Sequence, residues 1–141
     1  LKVIPAMAAF IPIIGSTGGN VGIQTSSIIL QSLADKTGLD TSVWQRLTRM
    51  FAVALINGLI ISSIVFGFNL LIGNEIRLAL VVSLALLSVV FLASFMGTMT
   101  PLVLDKIGIN PAVASGPFIT TANDLIGYAV YFGLAHALLE L

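Results

Sequence analysis

Cysteine is absent from this chain, which excludes disulfides, thiolate metal sites and cysteine nucleophiles. Charge is scarce as well. Asp, Glu, Lys and Arg make up 9% of the 141 residues, where a soluble domain carries about 25%. A solvated surface cannot be built from so few charged groups, so the outer surface must face lipid. Six basic and six acidic residues cancel, leaving no positive field to attract nucleic acid. Residues 1–14 lack the basic start and small-residue cleavage site of a secretory signal. The chain opens on Leu1 and is apolar by Val3, which reads as a piece of a longer protein.

Hydrophobic residues make up 57% of the chain, and its mean hydropathy is +1.10. In a bilayer every backbone amide must be satisfied internally, and a hydrocarbon core about 30 Å thick needs roughly 20 apolar residues per helix. Four stretches meet this need, at about residues 3–33, 47–72, 76–104 and 111–139. The expected fold is an all-α membrane protein. It is a bundle of four transmembrane helices making one transmembrane domain over residues 1–141.

The connections carry most of the polar character. Asp40, Thr41 and Ser42 offer side-chain oxygens to cap the second helix. Gly73 and Asn74 predict a tight turn. Gly108 suits the exit of the third helix, and Pro111 suits the first turn of the fourth. Lys36, Arg46, Arg49 and Lys106 fall on one side, against Lys2 and Arg77 on the other. The positive-inside rule therefore places loops 34–46 and 105–110 in the cytoplasm.

The second and third spans read as ordinary packing helices. Ser62, Ser83, Ser94, Gly58 and Gly97 suit close approach and interhelical hydrogen bonds. Pro101 predicts a kink near the end of the third. The first and fourth spans are different. Residues 12–24 (PIIGSTGGNVGIQ) place four glycines and several polar side chains near the bilayer centre. Gly15, Gly19, Gly22 and Ser26 form one small-residue face, beside a polar stripe of Asn20, Gln24, Ser27 and Gln31. A close helix–helix contact is one reading of this segment. Asn20 and Gln24 favour the other, a wet, pore-facing surface.

In the fourth span Asp124 is the only carboxylate deep in any segment. Counted from Pro111 it lies about 20 Å along the helix. A charge there costs about 2.5–3.5 kcal/mol on insertion scales and is retained mainly for pairing, proton relay or ion binding. No Lys or Arg lies at that depth. Two interrupted helices meeting at the midplane point to a transport site. Its ligands are all oxygen, from Asp124, Asn123, Thr120, Asn20 and backbone carbonyls, which suits Mg²⁺, Ca²⁺ or Mn²⁺. His136, near the end of the span, reads as an interfacial histidine. One Asp is too little charge for a divalent ion, and a two-fold symmetric dimer would supply a second.

Three stretches carry a family resemblance: residues 12–24, residues 97–112 (GTMTPLVLDKIGINPA) and residues 116–131 (GPFITTANDLIGYAVY). Together they resemble the transmembrane domain of the MgtE magnesium channels, over nearly the whole chain. The match looks like the last four of the family's five spans, without its first span or its cytosolic regulatory domains. The resemblance implies a homodimer with a pore on the two-fold axis, lined by the first and fourth segments here. It implies Mg²⁺ bound at Asp124, with backbone oxygen at Thr120 and Asn123 nearby. It also implies pore-lining positions at Asn20, Gly19, Gln24, Gly116, Pro117 and Gly127. This chain departs from the family at Ile23 and Gly116, where relatives often carry polar residues.

The expected function is thus a Mg²⁺ channel of the cell membrane, also able to take Mn²⁺, Co²⁺ or Ca²⁺. An H⁺- or Na⁺-coupled carrier is the alternative. An intramembrane enzyme would need a second intramembrane Asp, a Ser–His pair or an HExxH motif, and the sequence has none. A purely structural subunit would need a partner for Asp124 from elsewhere.

Overall fold

The computed structural model describes residues 3–36 and 40–139. Among them are five α-helices: α1 (Val3–Ala8), α2 (Ile11–Ala34), α3 (Thr41–Leu71), α4 (Ile76–Lys106) and α5 (Pro117–Leu139). A 3-10 turn at Pro111–Ala114 precedes α5. The described residues contain no strand. Pro5–Ala34, Thr41–Leu71 and Ile76–Lys106 are long and apolar enough to cross a membrane. The 23 residues of α5 suffice in length, but Asn123, Asp124 and His136 dilute its apolar character.

Two expected spans are interrupted. The first was read as continuous over residues 3–33, yet α1 ends at Ala8 and α2 begins at Ile11. Pro12 is the cause. It has no amide to donate, and its ring would collide with the Ala8 carbonyl of a continuing helix. The chain instead turns through Ala9 N–H to Ala6 O and Phe10 N–H to Met7 O, at 3.3 and 3.1 Å.

The fourth was read as helical from Pro111. There the 3-10 turn ends at Ser115, which is extended, and Gly116 adopts φ +44°. That conformation suits glycine, and it lets Pro117 open α5, where a missing amide is harmless. Asp124 is therefore seven residues into its helix, about 10 Å rather than 20 Å.

The other two helices outrun their expected limits. Asp40 Oδ1 accepts the Val43 amide at 3.0 Å, so α3 starts at Thr41 and not at Leu47. This cap holds the Asp40 carboxyl below its ordinary range, chiefly through the Val43 amide. At the other ends Gly73 and Gly108, with φ +77° and +78°, let α3 and α4 exit as expected. Pro101 lies buried inside α4, which continues to Lys106.

α4 is the central staff of the bundle. It packs against α2, α3 and α5, and Leu78, Val82, Leu86, Val89, Val90 and Ala93 are buried along its length. Against α3 it makes a reciprocal pair. Ser62 Oγ donates to Ser83 O and Ser83 Oγ to Ser62 O, both at 3.2 Å. Against α2 it brings Gly97 over Thr25 and the Gly22 carbonyl. The outward faces carry Ile56, Ile60, Ile64, Phe68 and Leu125, all exposed, as a lipid-facing surface requires. Ile28, Ile29, Val43 and Leu47 close one end of the bundle. Lys36, Arg46, Arg49 and Lys106 gather at that end, where Arg46 donates to Gln31 Oε1.

Candidate functional site: the α2–α5 contact and its polar margin

The glycines of α2 are spent on helix packing. A Cβ on Gly15 would lie 2.6 Å from the Tyr128 hydroxyl and 3.0 Å from Asp124 Oδ1. One on Gly19 would lie 3.2 Å from Thr120 Cγ2, and one on Gly18 2.7 Å from Val89 Cγ1. One on Gly22 would overlap the Asn123 amide. The close-contact reading therefore holds for this face, and Gly19 is buried in it. Gly127 is buried as well, between Val89 and Ile14. Neither glycine, expected to line a pore, is accessible within the single chain.

The polar stripe is separate and lies at the edge of that contact. Ser16, Asn20, Gln24, Ser27 and Gln31 are all exposed. Ser16, Thr17, Asn20 and Gln24 join Asn57 of α3 in a groove of about 240 Å³, floored by Val21, Ala54 and Gly58. Asn57 is the addition here. The sequence reading took its whole span as an ordinary packing helix, and no one-helix pattern links Asn57 to Asn20.

The α5 residues divide the same way. Ile119, Asn123, Gly127, Tyr131 and Ala135, four apart, make the buried face. Asn123 is 2% exposed, and neither atom of its amide has a hydrogen-bond partner. It points into the α2 contact at Gly18 and Gly22, away from the space above Gly15. Asn123 was expected as a metal ligand beside Asp124, and the two side chains are not brought together. Thr120 and Asp124 occupy the half-buried margin. Thr120 Oγ1 donates to Gly116 O at 3.0 Å, so the hydroxyl proton is committed to its own helix.

Asp124 sits over Gly15, with Tyr128 sharing that space. The middle of the Pro5–Ala34 span falls between residues 19 and 20, so Gly15 lies about 7 Å from it. Among the described residues no basic group pairs with Asp124, and no three acidic or histidine side chains cluster as a ready metal cage. Gly116 and Pro117 stand at the N-terminal end of α5. That end of a helix dipole repels cations, so their contribution is the direction of the chain.

An acidic side chain at membrane depth, unpaired and beside a polar margin, is what a cation path requires. The MgtE model, described as a divalent cation transporter, matches residues 11–134. The chain belongs to the MgtE family of divalent cation transporters. Magnesium transporter MgtE of Thermus thermophilus is 34% identical over 141 residues, covering 99% of this chain. Its namesakes in Bacillus subtilis and Enterococcus faecalis are 29% and 32% identical, over 99% and 92% of the chain. The chain spans about a third of the length of these relatives, 31%, 31% and 28% in turn. Membership in MgtE is a transport assignment and sets the intramembrane-enzyme reading aside.

Proposed function

We propose that this chain is the membrane-embedded conducting part of a Mg²⁺ transporter, working as a homodimer in the cell membrane. Asp124 meets the ion. The single observation that carries this is the place of Asp124: half-buried near mid-membrane depth, with no basic partner among the described residues. Two copies facing each other across a two-fold axis supply two negative charges to a doubly charged ion. Mg²⁺ sheds its water reluctantly, so the carboxylates and the Thr120 carbonyl act on a hydrated ion. Ser16, Asn20 and Gln24, exposed on α2, then form a neutral polar wall along which such an ion keeps its hydrogen bonds. The end bearing Lys36, Arg46, Arg49 and Lys106 faces the cytoplasm. Channel conduction follows, because a fixed carboxylate on an open polar margin needs no coupled ion.

The test is Mg²⁺ uptake by the full-length protein carrying Asp124→Asn. A charge-assisted contact contributes about 1.5–3 kcal/mol, so ion binding should weaken about ten- to a hundredfold. Uptake at the normal rate and half-saturation would refute the site. Wild-type uptake that follows the membrane voltage supports a channel, and uptake that collapses with the H⁺ or Na⁺ gradient at constant voltage refutes it.

A further inference from the structure

The short hydroxyls of α2 and early α5 answer to their own helices. Ser16, Thr17, Ser26, Ser27 and Thr120 each donate to a carbonyl three or four residues earlier. A tyrosine is too long for that, and the two tyrosines of α5 differ in what they do instead. Tyr131 is fully buried and donates to Met7 O at 3.0 Å. Tyr128 is half-buried, and its hydroxyl makes no hydrogen bond to any described residue.

Depth makes that hydroxyl costly. Tyr128 is at the middle of α5, which runs from Pro117 to Leu139, and its hydroxyl lies over Gly15 of α2. Gly15 is about 7 Å from the middle of its own span, within a hydrocarbon half-thickness of about 15 Å. Acyl chains offer no partner there, so a phenol turned to lipid would stay unsatisfied. Packing explains the ring, which sits against the buried cluster holding Ile14, Val89 and Tyr131. It does not explain the hydroxyl.

Asp124 is one turn earlier on the same face of α5. Its Oδ1 lies 3.0 Å, and the Tyr128 hydroxyl 2.6 Å, from the point a Gly15 Cβ would occupy. The two oxygens are therefore at most about 5.6 Å apart, or two O–H···O distances of about 2.8 Å. They make no direct hydrogen bond, yet they are close enough to share water. A carboxylate only accepts hydrogen bonds, whereas a phenol both donates and accepts. Waters bound to a cation donate, so one hydrated ion can give one water to each oxygen.

We propose that the Tyr128 hydroxyl is a second contact for the hydrated ion that Asp124 meets, accepting a hydrogen bond from one of its waters. This rests on the reading of Asp124 as the Mg²⁺ site. Mg²⁺ dehydrates reluctantly, so a contact made through water holds it without stripping its shell. The carboxylate supplies charge, and the phenol fixes where over α2 the ion sits. Gly15 is what leaves the space open, since a Cβ there would crowd both oxygens.

The experiment measures Mg²⁺ uptake into vesicles by the full-length protein carrying Tyr128→Phe, which keeps the packed ring and removes only the hydroxyl. Asp124→Asn is run beside it. A half-saturation raised about two- to tenfold, the size of one neutral hydrogen bond, supports the proposal when the maximal rate and the Mg²⁺-free unfolding temperature are unchanged. An unchanged half-saturation overturns it and leaves the Asp124 reading to its own variant. A lowered half-saturation overturns it too, because the hydroxyl then competes with the ion for the carboxylate. A maximal rate that falls together with the unfolding temperature overturns it in favour of a packing role. Normal uptake by Asp124→Asn overturns both readings.

Discussion

Gly97 and Gly67 offer one chemical change with two opposite outcomes. Both sit inside long helices, α4 and α3. Replacing either by Ala adds one methyl group and gains about 1 kcal/mol of helix propensity. At Gly67 the new Cβ meets nothing within 4 Å, so Gly67→Ala should stabilise by about that amount. At Gly97 it would overlap Thr25 Oγ1 and lie 2.5 Å from the Gly22 carbonyl oxygen. The threonine hydroxyl already bonds to Val21 O and Gly22 O, and the carbonyl belongs to the α2 backbone. Neither can turn aside as the end of a flexible side chain would, so α2 and α4 must separate. Overpacking of this kind costs about 1–3 kcal/mol, and the rigidity of the neighbours places Gly97→Ala at the upper end. Net of propensity it should destabilise by about 2 kcal/mol. The assay is thermal unfolding of the full-length protein in detergent, followed by loss of its monodisperse peak in gel filtration. A Gly97→Ala protein as stable as Gly67→Ala would refute the close α2–α4 approach.

Tyr131→Phe removes the hydroxyl that donates to Met7 O at 3.0 Å and ties α5 to α1. It should cost about 1–2 kcal/mol and raise hydrogen exchange in residues 5–10, with the rest of the bundle unchanged. Asn123→Leu replaces an amide that makes no hydrogen bond with an apolar group of similar size. It should leave stability unchanged or raise it by about 1 kcal/mol, with Mg²⁺ binding unaffected, and a strong loss of binding would show that the amide reaches the ion. Asp40 caps α3 with a lowered pKa, so its contribution is complete above the ordinary aspartate value of 3.8 and fades as pH falls through the lower folded value. Asp40→Asn keeps a capping oxygen but does not titrate, so acid should destabilise the wild type more than the variant in that window.

Much of the architecture was legible because bilayer physics leaves few choices. The cap at Asp40 and the exits at Gly73 and Gly108 follow from local rules and were found as expected, while α3 and α4 run to 31 residues each, beyond the expected limits. The breaks at Pro12 and Gly116 were visible as irregularities. Their outcome as full helix ends depends on the geometry of the following turn, which residue type alone does not state. Asp124 stood out in the sequence because it is the only deep carboxylate. Its neighbour Tyr128 did not, since an aromatic residue in a membrane helix is unremarkable until Gly15 is placed beneath it.

Composition, hydropathy and the three motif stretches by themselves determined that this is a helical membrane protein of the MgtE type, and that one carboxylate, Asp124, stands deep in a span. Tertiary structure alone decided which face of each helix is used. Glycine spacing permits either a packed seam or a wet wall, because a missing side chain exposes backbone equally to a neighbouring helix or to water. Only the position of α5 over Gly15, Gly19 and Gly22 selects the seam. The same placement turns Asn123 inward and leaves Asp124 at the margin. Adjacent residues on a helix point about 100° apart, so when one faces the contact the other cannot.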